Sequence, residues 1–206
     1  MSRFTDSRGR PIPICRLPNG VRSLWQVFLR RSFGIYPELP WIPFAAIPCL
    51  ERVITREAFV WEIGAGMSTL WLARHAGRVV SIEADQFWHT KLQSILAAKK
   101  ITNVDLRFEW VAERMCAFTG VDDHSIDFLF VDGGPRAQCL IEGFRKVKAG
   151  GHIYLDNWDV AAFWPGAEEF LTAHHQEIVV RQGFVDYVPG NFAVNEGLFL
   201  QKSGQP

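Results

Sequence analysis

Acids and glycines at the ends of short apolar runs are the residues of this chain best placed to do chemistry. In residues 60–73, "VWEIGAGMSTLWLA", an apolar run closes on Glu62, turns through Gly64 and Gly66, and enters an apolar helical pattern through Ser68 and Thr69. The glycines remove side chains where the backbone turns sharply and a ligand must come close. Ser68 or Thr69 can cap the following helix, whose N-terminal amides favour a carboxylate or phosphate. A second acid, Glu83, ends "VVSIEAD" about 20 residues beyond the glycines, the position from which a carboxylate accepts hydrogen bonds from both hydroxyls of a ribose. Thr69 stands where a dinucleotide fingerprint would carry its third glycine, and Glu62 suits an ammonium group better than a pyrophosphate. A third group is Asp132, followed 24 residues later by Asp156 and Asn157, an oxygen-only set that suits a hard divalent cation rather than zinc.

The elements that must position these residues are legible from residue 58 onward. Short β-rich runs ("AFVWEI", "RVVSIE", "VDLRFE", "IDFLFV", "HIYLD") alternate with helical stretches ("STLWLARHA", "QFWHTKLQSILAAKK", "RAQCLIEGFRKV"). That alternation predicts parallel strands with helices on both faces, an α/β doubly wound sheet. Ligands then sit outside the carboxyl ends of the strands, where all the acids above fall. After the helix-like "AEEFLTAHH", the runs "EIVVRQGFV" and "AVNEGLFLQ" are joined only by "DYVPGN", too short for a crossover, so these two strands should be antiparallel. No internal repeat or low-complexity tract is visible.

Taken together, "EIGAG", the ribose-type Glu83, "DFLFVDGG" and "VKAGGHIYLDN" resemble the class I S-adenosylmethionine-dependent methyltransferases over residues 58–201. The resemblance implies a Rossmann-like, mostly parallel seven-stranded sheet in the order 3-2-1-4-5-7-6 with its last strand antiparallel. It implies that Glu62, Gly64, Gly66 and Ser68 hold the methionine end of the cofactor and Glu83 its ribose. Val111, Ala112 and Glu113 would flank the adenine, and Asp132 would border the cofactor. Asp132, Asp156 and Asn157 are similar to the metal site of catechol and caffeoyl-coenzyme A O-methyltransferases, which implies Mg²⁺ or another divalent cation bound to an acceptor hydroxyl. Those enzymes tend to carry a lysine base just after the first aspartate, whereas this chain has "DGGPR" with Arg136. An arginine stays protonated, which leaves the metal, His89, His152, Asp159 or solvent as the base, and leaves Arg136 free to recognise an anionic acceptor. The plain alternative is that Asp132 closes a loop while Asp156 and Asn157 cap a turn.

The bulk composition is that of one globular domain: 206 residues, 48% hydrophobic and 21% charged. Lysine plus arginine equal aspartate plus glutamate at 22 each, so no global field argues for nucleic acid. The balance hides seven arginines against one acid in residues 1–34. There "VRSLWQVFLRRSF" spaces Leu24, Val27 and Phe28, with Trp25, as a short amphipathic helix with a basic face. Three readings apply: packing on the domain with solvated arginines, a lid, or contact with an anionic substrate or membrane surface. Residues 1–57 are expected to form an N-terminal arm and helical lid of the same domain, and residues 58–206 the cofactor-binding part. The exposed aromatics of residues 25–44 suit that lid or a homo-oligomer face.

Cys15, Cys49, Cys116 and Cys139 are scattered without a CxxC pair, which reads as reduced thiols in a cytoplasmic protein. No signal-peptide core and no run of 18 apolar residues is present, so no transmembrane segment is expected. Trp61, Trp71 and Trp88 read as core, while Trp41, Trp110, Trp158 and Trp164 face either core or ligand. His174 and His175 read as a helix-end cap. The expected activity is methyl transfer to a small-molecule acceptor, with oxygen as the receiving atom. Its rivals are a non-catalytic nucleoside-binding module of the same fold and a nicotinamide-dependent oxidoreductase.

Overall fold

The computed structural model describes residues 3–204. Seven strands form one sheet: β1 (Phe59–Ile63), β2 (Arg78–Glu83), β3 (Val104–Phe108), β4 (Ile126–Val131), β5 (Val147–Leu155), β6 (Ile178–Tyr187) and β7 (Val194–Lys202). Their order is β3-β2-β1-β4-β5-β7-β6, parallel except for β7, which runs antiparallel to both β5 and β6. The strand order and the antiparallel pair are those expected from the sequence. β5 begins five residues earlier than "HIYLD" suggested, because Val147 pairs with Ile126 across a bulge before the regular ladder starts.

The central strands are apolar on both sides, as a sheet covered on both faces requires. Val60, Phe128, Phe130 and Tyr154 pack on one face against α2 (Ile47–Val53) and α3 (Met67–His75). Trp61, Ile63, Leu129 and Val131 pack on the other against α6 (Arg136–Phe144) and α7 (Ala167–Ala173). The lone polar residue in the β1 run, Glu62, is fully buried.

Of the three readings of the first helix, α1 (Leu17–Phe33), packing of Leu24, Trp25 and Phe28 on the domain is not observed, since all three are exposed. The small and polar side of α1 faces the protein. Gly20 lies where a Cβ would come within 2.7 Å of the Tyr187 ring. The buried Ser23 hydroxyl donates to Val188 O (2.6 Å) and accepts from Phe192 N (2.8 Å). Gln26 Oε1 accepts from Gly190 N, and Asn19 donates to Asp186 (2.7 Å). The docking ground is the β6–β7 turn with its free backbone groups, so polar side chains satisfy it and the apolar stripe is left outside.

Ahead of α1, residues 5–11 form a small hairpin clipped to the sheet end. Arg8 and Arg10 pair with the buried Glu196, Arg10 also with the buried Asp6, and Ser7 N donates to Asp159 Oδ2 (2.7 Å).

Candidate active site

β1 and β4 end side by side, and the turns that follow them touch. Gly64 has φ +90°, and a Cβ there would lie 2.7 Å from Gly133 N; one on Gly133 would lie 2.7 Å from Gly64 Cα. Only a pair of glycines lets these turns meet. Beneath the turn, Glu62 accepts from three hydroxyls: Ser68 (2.5 Å), Thr69 (2.6 Å) and Ser81 (2.5 Å). Thr69 Oγ1 also accepts from Gly66 N, which fixes the entry to α3. Burial pushes the Glu62 carboxyl up to about 7, opposed by the three hydroxyl bonds. Glu62 therefore sits under the crevice as a tie between β1, β2 and α3, and it is not among the residues that line the opening.

That opening is a crevice of about 300 Å³ lined by Gly64, Gly66, Ser68, Glu83, Asp132 and Gly133, with Trp41 and Trp88 as walls. Glu83 closes β2, nine-tenths buried, with its Oε1 accepting from Asp85 N (2.7 Å); burial raises its carboxyl above the ordinary value. Trp88, on α4 (Gln86–Ala98), donates to Ala65 O and so is fixed edge-on to the glycine turn. Ala112 and Glu113 are on the short α5 (Ala112–Met115), outside the lining of this crevice, and Glu113 is exposed.

A second cavity of about 220 Å³ adjoins the first, sharing Trp41 and Asp132 with it. Asp132, Asp156 and Asn157 all line it, together with Asn195 from β7 and Ser7 from the N-terminal hairpin. Asp156 is fully buried. Its Oδ2 accepts from Asn195 Nδ2 (3.3 Å), and Tyr154 OH reaches Oδ1 at 3.5 Å. Burial pushes the Asp156 carboxyl well above its ordinary value, and the hydrogen-bonded Asp132 beside it pushes it further. Asp132 is also raised by burial, with Arg136 and Asp156 working against the rise. Two acids in contact in a desolvated place hold one proton between them.

The Arg136 guanidinium donates from Nη1 to Asp132 Oδ1 (3.3 Å) and to Asp156 O (2.9 Å), and lies 5.0 Å from the Phe163 ring centre. This cation is committed to the Asp132 carboxylate and the Asp156 main-chain carbonyl. The donor set fits a divalent ion poorly: Asp132 already faces a guanidinium, and the Asp156 oxygens face Asn195 Nδ2 and Tyr154 OH, whereas an oxygen cage for Mg²⁺ needs ligands with open lone pairs. Among the described residues no three His, Cys, Asp or Glu side chains converge as a metal cluster.

The bases named from the sequence lie elsewhere. Asp159 is spent on Ser7 N and Glu196 N. His152 is stacked between Phe128 and Phe199, and His89 packs against Phe108. Trp158 and Trp164 are core and Trp110 is exposed, while Trp41 alone of that group lines both cavities. Asn195 and Ser7 were not foreseen. The adjacent polar pair Asn195-Glu196 inside an otherwise apolar run was the available signal for the former; nothing in the sequence marks Ser7, which arrives through the Asp159 contact.

Sheet order, glycine turn and the acid closing β2 define the Rossmann-like fold of the class I methyltransferases. Residues 61–158 match the family model of a methyltransferase domain. Among the curated proteins none matches the sequence. Solved structures similar in fold include the O-methyltransferase TomG from Streptomyces achromogenes, involved in tomaymycin synthesis and solved with S-adenosylmethionine. It is 18% identical with TM-score 0.62, over 89% of this chain and 90% of that one. An S-adenosylmethionine-dependent O-methyltransferase from Thermotoga maritima is 12% identical with TM-score 0.60, over 88% and 72%. An rRNA methylase from Streptococcus thermophilus is 16% identical with TM-score 0.59, over 75% and 92%.

Proposed function

We propose that this chain transfers the methyl group of S-adenosylmethionine to an oxygen of an uncharged small molecule held in the Asp132–Asp156 cavity. One observation carries the reading: two adjoining cavities, one a glycine-walled crevice and one polar, meet at Asp132 and Trp41.

The crevice residues fit the cofactor. The touching turns at Gly64 and Gly133 leave backbone rather than side chains as its floor, Glu83 offers a carboxylate for ribose hydroxyls, and the α3 N-terminus with Ser68 suits the amino-acid tail. Bound there, the cofactor supplies an activated methyl group on a sulfonium. Glu62 acts through the turn it ties down and makes no contact with the tail in this reading. Ala112 and Glu113 are left out of it.

In the adjoining cavity Asp132 takes the acceptor's hydroxyl proton as the oxygen–carbon bond forms and the carbon–sulfur bond breaks. Burial raises the Asp132 carboxyl, which favours its taking up a proton, while the Arg136 guanidinium at 3.3 Å works against that rise. Arg136 holds both acids in place. Asn157, held with φ +55° after β5, borders the same cavity. Positioning and exclusion of water supply the rest, since a cationic donor loses its charge as it reacts.

Two finer expectations change. The donor set argues for a reaction without a divalent ion. No lysine or arginine lines the acceptor cavity, because Arg8, Arg10 and Arg136 are all engaged by carboxylates, and this argues against an anionic acceptor. Residues 1–57 serve as the arm and lid of the same domain, with the Ser7 hairpin and Trp41 over the cavities.

Titration calorimetry with S-adenosylhomocysteine tests the cofactor half, and Glu83→Ala should weaken that binding. Turnover on a panel of phenols and sugars, unchanged by EDTA and lost in Asp132→Asn, tests the acceptor half. A protein that takes up no S-adenosylhomocysteine sinks the reading; one that binds it without turnover on any acceptor is a binding module instead.

A further inference from the structure

Fifteen large hydrophobic side chains stand exposed among the described residues, and nine of them fall between Phe4 and Ile35. Five of the nine share one stripe of α1: Leu17, Val21 (72% exposed), Leu24, Trp25 (59%) and Phe28, spaced i, i+4, i+7, i+8, i+11. Trp25 and Phe28 stack on each other at 5.3 Å and Phe33 meets Phe28 edge-on, so the stripe is a continuous aromatic and aliphatic surface. Solvated apolar side chains are ordinary when scattered, but a patch made by one whole helix face marks a contact. The helix already has its intramolecular bonds on the opposite side, through Asn19, Gly20, Ser23 and Gln26, so this face is not waiting to fold onto its own domain.

Charge says what covers it. Residues 7–37 contain six arginines and no acid. Arg8, Arg10 and Arg16 lean on carboxylates of the body, whereas among the described residues no carboxylate pairs with Arg22, Arg30 or Arg31. At 100° per residue, Arg22 and Arg31 flank the apolar stripe on either side. A second copy docked through the same face would set arginines against arginines with no acid to answer them. An anionic bilayer supplies phosphates at the rim and hydrocarbon at the centre, and it suits tryptophan and phenylalanine at the boundary. No helix of the described residues is long and apolar enough to cross a membrane, which leaves α1 lying in the surface plane.

We propose that α1 docks the protein onto an anionic lipid bilayer, with the Leu17, Val21, Leu24, Trp25 and Phe28 stripe among the upper acyl chains and Arg22 and Arg31 at the phosphates. The β6–β7 turn that carries α1 also lines the polar cavity through Val188, Asn191 and Ala193, so docking brings that cavity close to the lipid surface. The inference stands on this face alone and does not depend on the methyl-transfer reading.

Flotation of the full chain with vesicles tests it, using phosphatidylcholine alone and phosphatidylcholine with about a third phosphatidylglycerol. The protein should float with the anionic vesicles at least about tenfold better than with the neutral ones, and the advantage should shrink as salt is raised. Trp25→Ser with Phe28→Ser should cut binding about tenfold or more. Arg22→Ala and Arg31→Ala should each cut it about fivefold. Val179→Ser, exposed on β6, should change nothing. Should the serine pair fail to fold, Arg31→Ala keeps the test alive, since that side chain is exposed, whereas Arg22 lies 4.7 Å over the ring of the buried Phe44. Two results would overturn the inference: no flotation with anionic vesicles, or a dimer in sedimentation velocity that Trp25→Ser with Phe28→Ser dissociates.

Discussion

The molecule buries acid in two places a few residues apart along neighbouring strands, and it deals with them in opposite ways. Glu62 has all its neighbours supplied by the protein: hydroxyls from Ser68, Thr69 and Ser81 close around it, and none of its surface is exposed. Asp132 and Asp156 instead face each other, with Arg136 on Asp132 and only the long contacts of Asn195 Nδ2 (3.3 Å) and Tyr154 OH (3.5 Å) on Asp156. The wall they belong to carries two buried polar atoms that find no partner, Asn195 Oδ1 and Trp41 Nε1. Burial raises the carboxyl in both places. A perturbed acid therefore does not by itself mark a reacting group; the mark is unfinished hydrogen bonding around it. A completed cluster fixes geometry, while an incomplete one is completed by a ligand.

The harshest test of this contrast is mechanical. Gly64→Val places a branched side chain at φ +90° against the Gly133 backbone. The turn must open, the Glu62 cluster beneath it loses its frame, and S-adenosylhomocysteine binding should vanish in calorimetry, with stability reduced by about 3 kcal/mol or more. If binding survives, the touching turns are not the floor of the crevice.

Next comes the chemistry. Asp132→Asn keeps the shape and removes the base, so turnover should fall about 10²- to 10⁴-fold while S-adenosylhomocysteine still binds. Glu62→Gln should do the reverse, leaving turnover nearly intact and altering stability against pH. The sign follows from the direction of the shift. A carboxyl raised from 4.5 to about 7 on folding favours the folded state while protonated, and that advantage fades as pH climbs from about 4.5 to about 7. The wild-type protein should lose up to about 3 kcal/mol over that window from this group, and Glu62→Gln should flatten the curve in urea titrations at successive pH values. A Glu62→Gln protein with the wild-type slope, or with turnover as poor as Asp132→Asn, would erase the distinction between the two acid sites.

How much of this contrast the sequence could disclose depends on the range of the interactions involved. The strands were legible because continuous apolar runs and the glycine turn are local signals, and so were Glu83 and the Asp132/Asp156 positions at strand ends. The partners of Glu62 were not. Ser68 and Thr69 read as caps, and Ser81 as a strand residue, because their convergence on one carboxylate depends on strand pairing between β1 and β2. Arg136 likewise read as a free cation for an acceptor, since its double bond to Asp132 and Asp156 O needs β4 and β5 side by side. The α1 stripe was legible as a stripe, but its direction was not. Spacing defines a face without saying which way it points, and here Gly20 and Ser23 on the opposite side decided it through their contacts with Tyr187 and Val188.

The mildest prediction falls on Trp41, which with Asp132 lines both cavities. Trp41 stacks with Tyr36, carries Arg30 over its ring, and buries an indole N–H that has nothing to bond. Trp41→Phe keeps an aromatic wall and deletes only that donor. In a finished cluster such a deletion strands an acceptor and destabilises the fold; here no acceptor is stranded, so the unfolding midpoint should hold or rise slightly. The cost should fall on binding instead. If the N–H waits for the acceptor, KM for it should rise about three- to tenfold, the equivalent of one neutral hydrogen bond of roughly 0.5–1.5 kcal/mol, with kcat nearly unchanged. A clear loss of stability with KM unaltered would mean that Trp41 belongs with Glu62, as part of the frame, and that the polar cavity is less open than its unpartnered atoms suggest.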